Sequence, residues 1–430
     1  MTSLTSYDPI DISSHAFWAG SDRERDLAFA ELRRERPVSW HPPAEGSLLG
    51  EPDEAEGDGG RGPGYWAVVR HGDVEAVSRD HRRFSSAPEH GGVMFEDVPA
   101  EVLEMTQSIL AMDEPRHNVT RRLLASAFTP RRIRVIEEQI RAQAAAIVDA
   151  FLDEGPRDLV EQVSTRLPLW TISEMLGVPQ EDRARVVGAV DQMVGLHDPA
   201  YVGEFGDPLM ALMMGIGDLH DVAQNLIDAR RSQPADDLMS ALVQAEVDGE
   251  RLSDDDIRSY FVLLAIAGND TTRNTTTHGL LGLAEFPDQR DLLLAGAGAD
   301  LERHLPGLVE ESIRWGSAVM TFRRTALEDV ELGGRRIAAG EKVVLFYSSA
   351  NRDETVFADP WRFDLTRDPN PHVGFGGGGI HYCLGHHVAR AQLRALFREL
   401  LTRVPDLVLG EPEMLAGHFM HAVKRLPCSR

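Results

Sequence analysis

The chain has 430 residues, 42% of them hydrophobic, and a formal net charge of −25. That length allows a large core, and the acidic balance argues against a general binder of nucleic acid, which needs basic patches for phosphate. Two cysteines, Cys383 and Cys428, make no disulfide framework, and no apolar run approaches the ~20 residues of a membrane span. The first residues, Met1 to Asp8, lack the charged and apolar regions of a signal peptide, so a soluble, cytoplasmic protein is expected. Lysine occurs only at Lys342 and Lys424, an arginine bias that suggests a GC-rich bacterial genome.

Glu24–Arg36 reads as a short amphipathic helix stopped by Pro37. Val38–Trp40 and Tyr65–Arg70 read as two strands of a small sheet. Between them, 46–64 is rich in Gly, Glu and Asp and cannot bury enough surface to fold alone, so a flexible surface insertion is expected. From about 115 to 305 the apolar spacing is mostly helical. Leu123 and Leu124 share a face, and Pro130 punctuates. Ile140, Ala144, Ile147 and Val148 continue the pattern. The segment holding Ile172 and Leu176 stops at Gly177-Val178-Pro179, and Ser253-Asp254-Asp255-Asp256 caps a long helix. Short strands, Val330–Leu332 and Lys342–Phe346, occupy 322–350, and Cys428 is expected to be frayed or exposed. No repeat or linker interrupts the chain. The expected class is α+β, mostly helical, with small sheets, as one domain over 1–430.

Three motifs carry chemistry. Cys383 ends a glycine-dense loop, Gly374-Phe375-Gly376-Gly377-Gly378-Gly379-Ile380-His381-Tyr382-Cys383-Leu384-Gly385, just before an amphipathic helix. Glycines let backbone approach a flat cofactor closely, and amides aimed at a thiolate, with the positive end of a helix, favour the anionic sulfur. A phosphate-cradling loop is disfavoured, because no Lys-Ser/Thr pair follows the glycines. An inert core cysteine is the bland alternative. Second, Ala267-Gly268-Asn269-Asp270-Thr271-Thr272 follows Tyr260–Ile266, a run that is apolar all round. Placing an acid and threonines there costs desolvation and helix propensity. A satisfied polar core segment or a helix exit would explain it without function. Third, Glu311-Ser312-Ile313-Arg314 is an i,i+3 ion pair, common and weak on any helix surface.

In this order the motifs resemble those of the cytochromes P450, over nearly the whole chain. The resemblance implies a helix-rich prism fold and heme b, with Cys383 as iron ligand. It departs from the usual loop at one point: the aromatic, normally seven residues before the cysteine, is Phe375, eight before, with Gly376 at the seventh place. Some steroid- and lipid-oxidising bacterial branches share this longer loop. By resemblance, Thr271 stabilises dioxygen and Asp270 relays protons with it, while Gly268 leaves room for a diatomic ligand beside Ala267. Glu311 and Arg314 lock the core beneath the haem, completed by the coil from Asn351 through Phe357, Pro360 and Phe363 to Arg367. His117, Arg121, Arg324 and His381 match the partners of the haem propionates. Arg122, Arg323 and His372 are lower-ranked neighbours. Phe375, Gly377 and Gly385 belong to the cofactor's loop.

The expected activity is O2-dependent hydroxylation of a steroid, terpenoid or branched lipid, the alternative being tailoring of a polyketide, aromatic or peptide-like metabolite. The Asp270–Thr271 pair speaks against a peroxide-using enzyme. Electrons are expected from a separate ferredoxin and its reductase. The stripe Arg390, Arg394, Arg398 recurs at i, i+4, i+8 after Cys383 and suits an acidic partner, or is simply a solvated face. Substrate-facing residues implied by the resemblance are Val93, Met94, Phe95, Met193, Met213, Leu263, Ala267, Ala318, Val319, Met320, Phe419 and Met420.

Overall fold

The computed structural model describes residues 6–45, 64–98, 100–105, 108–127, 130–195, 207–247, 249–296 and 298–430. The insertion expected at 46–64 lies almost wholly outside them. The principal helices are α1 (Asp22–Glu35), α2 (His71–Arg79), α3 (Arg116–Ala127), α4 (Pro130–Glu154), α5 (Arg166–Leu176), α6 (Arg183–Val194), α7 (Pro208–Ser232), α8 (Asp254–Glu285), α9 (Ala299–Gly316) and α10 (His386–Arg403). One five-stranded sheet joins β1 (Val38–His41), β2 (Tyr65–Val68), β3 (Phe84–Ser85), β4 (Thr321–Ala326) and β5 (Lys342–Phe346) in the order β1-β2-β5-β4-β3. The class is α+β and helix-dominated, as expected.

Local chemistry sets these boundaries. Ser21 and Glu24 form a reciprocal capping box, so α1 begins earlier than the expected Glu24. Ser253 and Asp256 do the same for α8, with three aspartates in its first turn favouring the positive helix end. Gly177, at φ +74°, ends α5. The second expected strand stops at Val68, because Arg70 caps α2, a helix the apolar pattern did not reveal. Cys428 is not frayed. It lies in a short strand paired to Val408–Leu409, and its N–H donates to Arg157 O at 3.0 Å. Burial and the nearby Asp158 push its thiol up to about 11.

The main core unites α4, α9 and α10 with Leu280 and Leu283 of α8. Beside it lies the Glu311–Arg314 pair, wholly buried. Arg314 donates to both Glu311 oxygens, at 2.8 and 2.7 Å, and to the carbonyls of Asn351 and Pro360, each at 2.9 Å. Arg367 Nε reaches Glu311 Oε2 at 3.3 Å. What is a weak pair on a surface is here a saturated network, and losing one partner would leave the other charge uncompensated. Asn351 extends the network, donating to Ser317 Oγ at 2.9 Å and accepting from Val373 N at 2.8 Å. The coil that carries the cysteine loop is thereby fastened to the end of α9.

Candidate active site

A cavity of about 290 Å³ lies between the middle of α8 and the cysteine loop. Of the twelve site residues expected from sequence, all but Asp270 line it.

The loop holds Cys383 by backbone geometry. Gly376, Gly378 and Gly379 take φ of +97°, +93° and +77°, a region L side chains rarely adopt. A Cβ on Gly379 would stand 2.4 Å from Ser78 O, so the loop also lies too close to the end of α2 for any side chain. These turns absorb the additional residue: Cys383 N still donates to Phe375 O at 3.0 Å. Burial pushes the Cys383 thiol up, while the Gly385 amide and the charges of Arg121 and Arg390 pull it down. Beneath Phe375, the Arg390 guanidinium stacks on the ring at 4.5 Å and pairs with Glu310 through two bonds, at 2.7 and 2.8 Å. Burial works to raise the Glu310 carboxyl, yet Arg390 and His372 hold it down to about 2.

One edge of the cavity is cationic. Arg324 and His117 are buried, and no hydrogen-bond partner reaches His117 Nε2 among the described residues. Arg121 donates to Tyr382 O at 2.9 Å, and His381 Nε2 lies 3.3 Å from Ser86 Oγ. Burial, then Arg324, His117, Arg121 and His81, drive His381 down to about 2. Two guanidiniums and two imidazoles thus converge where, among the described residues, no carboxylate lines the cavity. An apolar slot with a thiol on one wall and such an edge fits a flat metallo-macrocycle bearing two carboxylates. Of the lower-ranked candidates, Arg323 points from the strand to Asp97 at 2.7 Å, His372 bonds Glu310 at 3.0 Å, and neither they nor Arg122 line the cavity.

On the opposite wall, α8 runs unbroken through Asn269–Thr277, which rules out a helix exit. Thr271 Oγ1 donates to Ala267 O, one turn back, at 2.8 Å, and Thr275 and Thr276 repeat the pattern at 2.8 and 2.9 Å. A Cβ on Gly268 would meet Ile172 side-chain carbons at 2.9 Å, so close packing of α8 on α5 is a reason for this glycine beyond any room for a ligand. Asp270 is wholly buried and turned from the cavity toward Arg273, 3.2 Å away, which in turn lies 3.2 Å from Asp191 on α6. Burial raises the Asp270 carboxyl to about 6, aided by Asp191 and opposed by Arg273. Its Oδ2 has no hydrogen-bond partner among the described residues.

A model of the cytochrome P450 family matches residues 303–404. Over 97% of its length the chain is 42% identical to a methyl-branched lipid omega-hydroxylase of Mycobacterium tuberculosis, covering 94% of that protein. The chain belongs to the cytochromes P450. A steroid C26-monooxygenase of Mycolicibacterium smegmatis is 40% identical over 92% of this chain and 88% of its own. Among solved structures, a Mycobacterium marinum P450 in complex with pseudoionone superposes with a TM-score of 0.93 at 52% identity over the whole of both chains. A Bacillus megaterium P450 in complex with testosterone gives 0.76 at 28%, over 93% of this chain and 98% of that one. The fold is therefore the P450 prism, the cofactor is heme b, and the protein is a monooxygenase. No helix among the described residues is long and apolar enough to cross a membrane.

Two expectations about this P450 change. Only Leu263, Ala267, Ala318 and Val319 of the expected substrate-facing set line the cavity. Phe95 and Met320 instead pack into the core around Phe346, and Met193 and Met213 into a cluster beneath α7. Ile109, Ile172, Met175 and Leu264, which sequence reasoning missed, complete the apolar wall. The arginine stripe is also largely neutralised. Arg390 pairs with Glu310, and Arg398 binds Glu302 through two bonds at 2.6 and 2.7 Å. Arg394 alone of the three is exposed without an ion-pair partner among the described residues.

Proposed function

We propose that Cys383 ligates the haem iron, that Arg121, Arg324, His117 and His381 hold the propionates, and that the enzyme hydroxylates a branched lipid or a steroid at the end of an alkyl chain. The observation that carries the substrate class is the cavity wall: Ile109, Ile172, Leu263, Leu264, Ala318 and Val319, with no carboxylate among the described residues there to orient a charged amine. The relatives named for methyl-branched lipid omega-hydroxylation and steroid C26-monooxygenation support the position of attack. When bound, haem supplies O2 activation with two electrons and two protons, and transfer of one oxygen atom to a C–H bond. The chain supplies the rest. The Gly385 amide and Arg121 temper the Cys383 sulfur. The apolar wall excludes water and turns a terminal methyl toward the centre of the cavity. Thr271 Oγ1, on the cavity wall, offers a proton toward that centre, and Asp270 replenishes it from the buried side of α8, by side-chain rotation or a bridging water.

Spectral titration of the holoenzyme tests the substrate. A methyl-branched fatty acid or a steroid with an intact side chain should displace iron-bound water at micromolar concentration, about −8 kcal/mol, and yield the terminal alcohol by mass spectrometry. If both leave the spectrum unmoved while an aromatic or peptide-like metabolite shifts it, the enzyme is a tailoring P450 and the lipid proposal is wrong.

An acidic ferredoxin is the proposed electron donor, meeting the cysteine side of the molecule at Arg394. Arg394→Glu should slow reduction by such a ferredoxin roughly three- to tenfold at low salt, the difference closing at high salt. Equal rates at low salt would leave Arg394 a solvated charge.

A further inference from the structure

The tip of the C-terminal hairpin meets distant carboxylates at two points, through histidines that the reaction does not use. Strands β6 (Glu413–Met414) and β7 (Val423–Arg425) pair antiparallel, and the tip between them runs beside the cavity wall. Met320 N donates to Phe419 O at 2.8 Å and His421 N to Ala318 O at 2.9 Å, which sets Val319 opposite Met420. Ala318 and Val319 line the cavity, and the Phe419 ring packs on Phe322, another lining residue, at 5.7 Å between centroids.

His418 and His421 flank that Phe-Met pair, and each meets a carboxylate from a distant part of the chain. His418 Nε2 lies 2.8 Å from Glu96 Oε1, both side chains buried. His421 Nε2 lies 2.9 Å from Asp22 Oδ2, at the first residue of α1. Its Nδ1 lies 2.7 Å from Gly316 O, and its ring stacks on His278 at 4.0 Å. Arg25 pairs with the other Asp22 oxygen.

The His418–Glu96 contact is buried, whereas the Asp22 side chain that meets His421 is 38% exposed; a buried contact of this kind is a poor source of stability, because desolvation offsets its attraction, and its best-attested use is to specify register. A slip of one residue in an extended pairing sends every side chain to the opposite face, and would exchange Phe419 for Met420 against Phe322. A few backbone bonds oppose such a slip along this short tip, together with Thr321 Oγ1 donating to His418 O at 2.9 Å and His278 Nε2 at 3.0 Å from His421 O. We infer that His418 and His421 are positioning residues. Through their pairs with Glu96 and Asp22 they fix the register of the tip, and with it the bulk the cavity admits beside Val319 and Phe322. The inference rests on haem occupying the cavity and not on the lipid proposal.

Two azoles of different bulk test it, since both coordinate haem whatever the natural substrate. Holoenzyme is titrated spectrally with 4-phenylimidazole and with a triphenylmethyl-substituted imidazole. In Glu96→Gln and in Asp22→Asn the ratio of the two dissociation constants should move by about fivefold or more, with the CO-bound Soret band of the reduced enzyme unchanged. A ratio that stays within about twofold of wild type, even if the melting temperature falls, would overturn the inference and leave the pairs merely structural. Should a single variant fail to take up haem, the uncharged doubles E96Q/H418Q and D22N/H421Q are read by the same criterion.

Discussion

Replacing Cys383 by serine leaves a folded protein that has lost its reaction. Hydroxylation should fall by at least roughly 10³-fold, equivalent to about 4 kcal/mol of barrier, and the reduced, CO-bound protein should no longer show the Soret band of a thiolate-ligated haem. The fold should survive, because what fastens the loop lies elsewhere: the buried Glu311–Arg314 pair, Asn351 bridging Ser317 to Val373, and the left-handed glycines against α2. Circular dichroism separates the two effects. Cys428→Ser is the matched control. That thiol belongs to the C-terminal strand pair and does not line the cavity, so its loss should leave spectrum and turnover unchanged. A serine variant at position 383 that kept the thiolate band would remove Cys383 from the proposed role.

The parts of this site that the sequence made legible are those built from contiguous residues. The glycine loop, the Asp270–Thr271 pair and the Glu311–Arg314 pair each occupy one short segment, so their chemistry and their order along the chain can be read together. Arg367 could be attached to the last of these because its segment also has a recognisable pattern. The single cavity edge shared by His117, Arg121, Arg324 and His381 is different, since α3, β4 and the loop reach it from three places and only resemblance to a known fold linked them. Side-chain direction was the least legible quantity. Arg323 and Arg324 are neighbours on one strand and so point opposite ways, one to Asp97 and the other to the cavity. Phe95 and Met320 look like substrate contacts by position yet fill the core around Phe346. The stripe Arg390–Arg394–Arg398 looks uniform, but the acids that neutralise two of its members, Glu310 and Glu302, come from α9, some 80 to 96 residues away in sequence. Nothing local marks His418 or His421 either, because their carboxylates lie more than 300 residues away.

Thr271→Ala should separate reductant consumption from product formation. The alanine variant keeps the apolar wall and the loop, so haem and substrate should bind as before. It lacks the cavity-lining hydroxyl of the proposed relay, and product per reductant should fall by about tenfold while peroxide appears in its place, a modest share of what a positioned proton donor contributes. Unchanged coupling would sink the role of Thr271. Asp270→Asn should act differently, since Asp270 stands behind the cavity and, in the proposed relay, passes protons on to Thr271. Turnover should fall by roughly 10²-fold, with a larger solvent isotope effect than in wild type. The same substitution also carries a sign in stability. The buried carboxyl titrates near 6, above its ordinary value of 3.8, chiefly because burial penalises its charge. Its contribution to stability is therefore complete below about pH 4 and is lost as pH rises through 6. Asparagine removes that loss, while Arg273 keeps Asp191 at 3.2 Å. The variant should thus gain stability relative to wild type at pH 8, by up to about 3 kcal/mol, and gain about half as much at pH 5. Melting curves at the two pH values decide it: a deficit at pH 8 would mean that the Arg273 pair outweighs burial and that the folded carboxyl is not raised above its ordinary value.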